Sequence, residues 1–226
     1  MRFDWSVAWT YRALLAQGML VTVLLTVLTM AIAVPGGIVV MLMRQSGLAP
    51  LRAAAAAFVE LFRNLPLILL VYWSFYVLPT LVDVQLSPFA TALIALSLNV
   101  EAYNSETFRA GVNSIRRGQY DAALALGMSR AQVMRKVVLP QAMRRILPVL
   151  ASTWVALFKD TSLVSIVALF DLLGQLRASF SDPVWSTPTT LFTGFAFTGI
   201  IYFAFCFGMS RYSLFVENRL NAHRRN

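Results

Sequence analysis

Residues 111–145 read Gly-Val-Asn-Ser-Ile-Arg-Arg-Gly-Gln-Tyr-Asp-Ala-Ala-Leu-Ala-Leu-Gly-Met-Ser-Arg-Ala-Gln-Val-Met-Arg-Lys-Val-Val-Leu-Pro-Gln-Ala-Met-Arg-Arg, the one long polar interval in an otherwise apolar chain. With Arg109 just ahead, this interval holds eight of the nineteen Lys and Arg residues. Positive charge at that density between apolar spans marks a cytoplasmic segment. Inside it, Asp121-Ala122-Ala123, Gly127 and Val137-Val138-Leu139-Pro140 are spaced as a short helix, a turn, and a second helix stopped by Pro140. The small side chains of Ala122, Ala123 and Gly127 leave room for another protein to approach closely.

The rest of the chain explains why this loop stands out. Of 226 residues, 58% are hydrophobic and only 13% charged, and several apolar runs are long enough to cross a bilayer. That is the composition of an all-α integral membrane protein. A net charge of +9 in a soluble chain would suggest nucleic acid. Here the basic residues lie in loops between apolar runs, which excludes nucleic acid as a partner and leaves membrane lipid. Cys206 is the only cysteine and His223 the only histidine, so neither a disulfide nor a Cys/His metal cluster can form within the chain. There is no Gly-x-x-x-x-Gly-Lys phosphate loop and no His-Glu-x-x-His motif, so no residue set for hydrolysing ATP or a peptide is present. Ala31-Ile32-Ala33 could pass for a signal-peptidase site. The apolar run, however, is set back from Arg2 by a stretch containing Asp4 and Arg12, and it continues to Met43 as a full span.

Five spans are expected. The first is Gly18–Met43, bent at Pro35-Gly36-Gly37, and the second is Ala53–Leu78, broken or kinked at Pro66. The others are Pro88–Ala110, Ile146–Leu169 and Pro188–Met209, with the cytoplasmic coupling loop at 111–145. Residues 1–17, with Trp5, Trp9 and Tyr11, suit an interfacial segment on the outer face, and Asp83 and Asp171–Thr187 fall in outer loops. On this scheme fourteen Lys and Arg face inward, three (Arg2, Arg12, Arg177) face outward, and Arg63 and Lys159 lie in spans. The asymmetry places the N-terminus outside and the C-terminus, with Arg224 and Arg225, inside. The whole of 1–226 reads as a single transmembrane domain without internal repeats.

Charges inside spans are costly, about 2.5–3.5 kcal/mol each on insertion scales, and need partners. Glu60 with Arg63, and Glu106 with Arg109, are three residues apart and suited to mutual pairing on one helix face. Lys159 and Asp160 are adjacent, point about 100° apart, and must find partners elsewhere. Ser97, Glu101, Asn104 and Phe108 form a polar stripe on the third span. Two arrangements follow: this stripe and Lys159-Asp160-Thr161-Ser162 line a chamber for a zwitterion, or Lys159 pairs with Glu101 and simply holds two helices together.

The 111–145 interval resembles the EAA loop of ABC importer permeases, with Asp121 where Glu is usual and Val137 where Ile is usual. The wider chain resembles the permeases for polar amino acids. The residues carrying this are Phe62-Arg63-Asn64-Leu65-Pro66, Glu101 to Gly111, Leu139-Pro140-Gln141-Ala142 and Lys159-Asp160-Thr161-Ser162-Leu163. The resemblance implies a five-helix, type I ABC importer permease in the bacterial plasma membrane. It implies that Asp121, Ala122, Ala123, Gly127, Leu139 and Pro140 dock a cytoplasmic ATPase subunit, and that the motif around Arg63 serves packing or gating; Glu60, Pro66, Glu106 and Arg109 are expected to share that role. It further implies a second, identical or similar permease subunit, an extracytoplasmic solute-binding protein, an amino acid as cargo, and ATP and Mg²⁺ held by the ATPase, with no cofactor in this chain. The opening Phe3-Asp4-Trp5-Ser6 is similar to the glutamate/aspartate type. The alternative from another class is a secondary transporter or channel using Glu101, Glu106 and Asp160 as an ion relay. Five spans without a repeat argue against it.

Overall fold

The computed structural model describes residues 3–221, all helical apart from short connections. Arg2, His223, Arg224 and Arg225 lie outside the described residues. A short helix α1 (Trp5–Thr10) leads into α2 (Arg12–Arg44), whose 33 residues span about 50 Å at 1.5 Å per residue. Next come α3 (Ala49–Asn64), α4 (Leu67–Val82) and α5 (Pro88–Asn113). The polar interval folds as α6 (Arg117–Ala125) and α7 (Arg130–Val133), and α8 (Leu139–Asp160), α9 (Leu172–Ser179) and α10 (Pro188–Asn221) complete the chain. Among the described residues, α2 and α10 are each long and apolar enough to cross a bilayer alone, and α3 with α4 would count as a third if taken as one span. The other two expected spans are the more polar α5, which carries Asn99, Glu101 and Asn104, and α8, which carries Arg144, Arg145, Lys159 and Asp160.

Proline decides where the helices change course. Leu65, forced out of helical conformation by the following Pro66, has φ −82° and ψ 133°, and α3 meets α4 at 107°. The second expected span is therefore two helices at a steep angle rather than one kinked helix. Pro79 and Pro140 act differently. Each sits one residue after a leucine that closes a wide turn, Trp73–Val77 before Leu78-Pro79 and Met134–Val138 before Leu139-Pro140. In both turns the leucine N–H donates to the carbonyl five residues back, Leu78 to Trp73 and Leu139 to Met134. Widening the turn draws the carbonyls clear of the ring that would otherwise clash with them. The second loop helix is thus not stopped at Pro140, as the sequence suggested; it passes through the wide turn into α8.

α2 runs through Pro35-Gly36-Gly37 without interruption of its helical structure. The glycines there serve contact. A Cβ placed on Gly37 would lie 2.7 Å from Asn104 Cβ and 3.1 Å from the Ser105 nitrogen, and Gly36 lies against the Glu101 side chain. Bare backbone here lets α2 and α5 form the most extensive helix pair of the bundle. Leu25, Met30 and Ala33 of α2 and Ala92, Leu96 and Val100 of α5 enter the main core with Leu70, Leu157 and Val164.

At the end away from the basic loop, α8 gives way after Asp160 to a 3₁₀ turn, Thr161–Val167, that ends at Ala168 with φ 59°. The fourth span is therefore α-helical only as far as Asp160. Residues 171–187 are a folded cap rather than a plain loop. Leu172, Leu176 and Trp185 pack with Val7 and Leu15 of the N-terminal segment, Tyr11 Oη donates to Asp182 Oδ2 at 2.5 Å, and the Asp4 N–H donates to Thr193 Oγ1 at 3.0 Å. Trp5 and Trp9 stay exposed, as an interfacial segment requires.

Crowding at the α2–α5 contact is testable. Gly37→Val should cost about 1–3 kcal/mol, the usual range for overpacking, and lower the thermal midpoint in detergent. Gly47→Val, at a position open on all sides, should leave the midpoint unchanged.

Candidate functional site

The cytoplasmic-type loop is a small folded unit with its own core. Ala123 of α6 is buried with Val133 and Val138 against Ile115, Tyr120 and Met128. Its small side chain lets α6 settle onto α7, so Ala123 serves the loop's interior rather than an approaching partner. Gly127 ends α6 with φ 81°, and the Met128 N–H reaches the Ala123 carbonyl (3.2 Å) while the Gly127 N–H reaches that of Leu124 (2.9 Å). That is a Schellman closure, which favours glycine on backbone grounds. α7 then starts on a capping box, with Ser129 Oγ accepting from the Gln132 N–H and Gln132 Oε1 from the Ser129 N–H. Asp121, Ala122, Leu139 and Pro140 are exposed. So is Leu126, 84% exposed at the tip of the loop, a residue the motif reading did not single out. An apolar side chain left bare at a helix end was the available signal.

At the end of the bundle nearest the basic loop, Arg109 donates to Glu106 Oε2 through Nε (3.0 Å) and a terminal nitrogen (2.6 Å), and Arg44 pairs with the other carboxylate oxygen. Glu106 thus ties the last turn of α2 to α5. The matching pair expected at Glu60 and Arg63 does not form. Arg63 lies over the Tyr103 ring at 5.3 Å, and Tyr103 Oη donates to the Arg63 carbonyl at 3.3 Å. The aromatic face on α5 wins over the carboxylate one turn back. Beside it, Asn99 Nδ2 donates to the Phe62 carbonyl at 2.9 Å. In a continuous helix that carbonyl would accept from residue 66, but Pro66 has no N–H to give. Asn99 repairs the break, and a polar residue on the next span was the only sign of it in the sequence.

The polar stripe on α5 faces α2 rather than the segment after α8. Asn104 is fully buried and donates through Nδ2 to the Ala33 carbonyl (3.3 Å), Glu101 lies against Gly36, and Phe108 packs with Met41, Ala142 and Ile146. Lys159 makes no ion pair with Glu101; among the described residues the ion pairs centre on Glu106. Lys159 is exposed, Asp160 half-buried, and Thr161 buried with its hydroxyl donating to the Phe158 carbonyl at 2.8 Å. Ser162 offers its carbonyl to Ser165 Oγ at 2.9 Å.

A further polar node escaped the sequence reading. Asp171, wholly buried at the start of α9, accepts from the Gly174 N–H (2.8 Å) and from Tyr202 Oη (3.3 Å), while the next N–H, of Leu172, donates to Thr22 Oγ1 (3.1 Å). The node joins α2, α9 and α10. Burial pushes the Asp171 carboxyl up to about 6 against hydrogen bonds that favour its charged form.

The described residues thus form a helical bundle with a self-supporting two-helix loop at its basic end. Residues 33–222 match the family model described as the binding-protein-dependent transport system inner membrane component, and the chain belongs to that family. It is 36% identical over 202 residues to the glutamate/aspartate import permease protein GltK of Escherichia coli O6:H1, covering 86% of this chain and 90% of that one. It is also 36% identical over 209 residues to the inner membrane amino-acid ABC transporter permease protein YhdY of Escherichia coli K12, covering 92% of this chain but only 56% of that relative's length. A solved amino acid ABC transporter, crystallised with histidines, superposes with a TM-score of 0.89 at 30% identity over 97% of this chain and 100% of the matched one. The fold is that of type I ABC importer permeases, and its named relatives are non-catalytic permease subunits.

Two outcomes follow. Gly127→Asn, which tolerates left-handed backbone, should retain the loop, whereas Gly127→Val should cost about 1–2 kcal/mol locally and raise amide hydrogen exchange across 117–138. For Asp171, the folded value of about 6 lies above the unfolded 3.8, so the folded chain holds the proton more tightly. The stabilisation is complete below about pH 4 and is lost as pH rises through about 6, about 3 kcal/mol in all. In Asp171→Asn the thermal midpoint should lose that slope between pH 4 and 7 while the cap on Gly174 persists.

Proposed function

We propose that this chain is the membrane-spanning permease subunit of an ATP-driven importer for polar amino acids in a bacterial inner membrane. The observation that carries it is the loop: a two-helix unit with its own core, rigid closures at Gly127 and Ser129, and a bare apolar tip at Leu126. Such a unit suits a groove in another protein, through which closure of that protein passes to the bundle as a rigid-body motion. In this reading Asp121, Ala122, Gly127, Leu139 and Pro140, with Leu126, meet a cytoplasmic ATPase that holds ATP and Mg²⁺. The chain crosses the membrane five times with its N-terminus outside and pairs with a second, identical or similar permease. It receives cargo from an extracytoplasmic binding protein. Asp160, Thr161 and Ser162, at the change from α8 to the 3₁₀ turn, contribute to the path, as do Glu101, Asn104 and Lys159.

The cargo is an amino acid of the glutamate/aspartate class. The opening Phe3-Asp4-Trp5-Ser6 and the similarity to a glutamate/aspartate import permease support that choice.

Co-expression with its ATPase and reconstitution into liposomes tests the reading. Amino acid uptake should require ATP and the ATPase, and Leu126→Glu should cut ATPase co-purification at least tenfold while membrane insertion is retained. Uptake by the permease alone, without a nucleotide-hydrolysing partner, would sink it.

A further inference from the structure

A cleft of about 480 Å³ opens at the basic end of the bundle, between the end of α3, the inner turns of α5 and the start of α8. That volume is within the range of small-molecule sites, about 300–1,000 Å³. Its polar lining is Arg63, Glu106, Thr107, Ser114 and Arg145. The one carboxylate among these, Glu106, is already held by two arginines, Arg44 and Arg109. Arg63 and Arg145 have no carboxylate partner among the described residues: Arg63 rests on the Tyr103 ring, and Arg145 donates to the Ser114 carbonyl at 2.6 Å. Thr107 gives its hydroxyl proton to the Tyr103 carbonyl (3.1 Å), which leaves its oxygen free to accept.

The placement connects this cleft to the break at Pro66 and to the start of the loop. Arg63 is two residues before the steep break at Leu65-Pro66. Arg145 lies six residues into α8, about 9 Å from its start, and its bond to Ser114 reaches the end of α5 where the loop begins. A cleft so charged favours a solute with net negative charge and disfavours a cationic one.

We infer that this cleft is a cytoplasm-side binding site for a dicarboxylic amino acid, with Arg63 and Arg145 each meeting one carboxylate and the Thr107 hydroxyl oxygen facing the ammonium. Guanidinium groups suit this role because their planar donors match a carboxylate in pairs. The inference rests on the reading of the chain as an amino acid importer subunit and adds where and how acidic cargo is told from neutral cargo inside the membrane subunit itself.

The test is equilibrium binding of radiolabelled L-glutamate, L-glutamine and L-arginine to the detergent-solubilised permease–ATPase complex without any binding protein. L-glutamate should bind at least tenfold more tightly than L-glutamine, and L-arginine should not compete. Arg63→Gln and Arg145→Gln should each weaken L-glutamate binding at least tenfold, and Arg63→Lys and Arg145→Lys should recover part of it. Size-exclusion profiles identify any variant that fails to assemble, and the exposed Arg63 pair then decides. Equal affinity for L-glutamate and L-glutamine, no binding of either, or undiminished L-glutamate binding by Arg63→Gln would overturn the inference. ATP-dependent uptake by the reconstituted complex is scored separately: uptake without preference for acidic cargo overturns the site together with the acidic cargo assignment, whereas absence of ATP-dependent amino acid uptake overturns the importer reading beneath both.

Discussion

Inside a bilayer a backbone carbonyl or N–H with no partner costs several kcal/mol, and this chain is shaped by how it meets that constraint at its prolines. Pro66 leaves the Phe62 carbonyl without its helical donor, and Asn99 of α5 supplies one. Pro79 and Pro140 follow wide turns in which the hydrogen bond shifts to the carbonyl five residues back. After Asp160 the chain tightens to a 3₁₀ turn, and its emergence at Asp171 is capped by a buried carboxylate. The break at Pro66 and the turn at Asp171 are each matched by a specific side chain, and the wide turns by a shifted backbone bond.

The rest of the bundle is correspondingly stiff. α2 and α5 pack closely at Gly36 and Gly37, where the bare backbone of α2 receives the Glu101 and Asn104 side chains of α5, and Glu106 fastens both helices near the basic loop through Arg44 and Arg109. Removing the carboxylate would leave two guanidiniums facing each other, so the triad is a lock more than a source of net stability. Against that fixed pair, α3–α4 with its 107° break and α8 with its wide turn are the elements able to shift.

Apolar runs and proline positions made most of this legible in the sequence. The five runs mark the long helices, and the Leu65-Pro66 pair marks the break. What one-dimensional spacing could not supply was the outcome of competition between neighbours. Glu60–Arg63 and Glu106–Arg109 have identical spacing, yet only the second pairs, because Tyr103 of another helix offers Arg63 an aromatic face. Gly36-Gly37 beside Pro35 suggested a bend, but spacing alone did not reveal that these glycines admit a neighbour, here Glu101, Asn104 and Ser105 of α5. In the loop, Ala122 and Ala123 looked equivalent by size. Helical periodicity separates them by about 100°, which puts Ala123 under the loop and leaves Ala122 bare.

The loop communicates with the bundle through few bonds. Ser114 is the C-terminal cap of α5, and its carbonyl belongs to the negative end of that helix, where a cation is favoured. Arg145 fills that position from α8 at 2.6 Å, while Val112 and Ile115, on either side of Ser114, pack both into the loop's core and against Phe108 and Ile146 in the bundle. A displacement of α6 and α7 cannot be absorbed at Gly127 or Ser129, whose closures are fully hydrogen-bonded. It must therefore pass to Ser114 and Arg145, and from there into α8, whose wide turn at Met134–Val138 stands between the loop and the span.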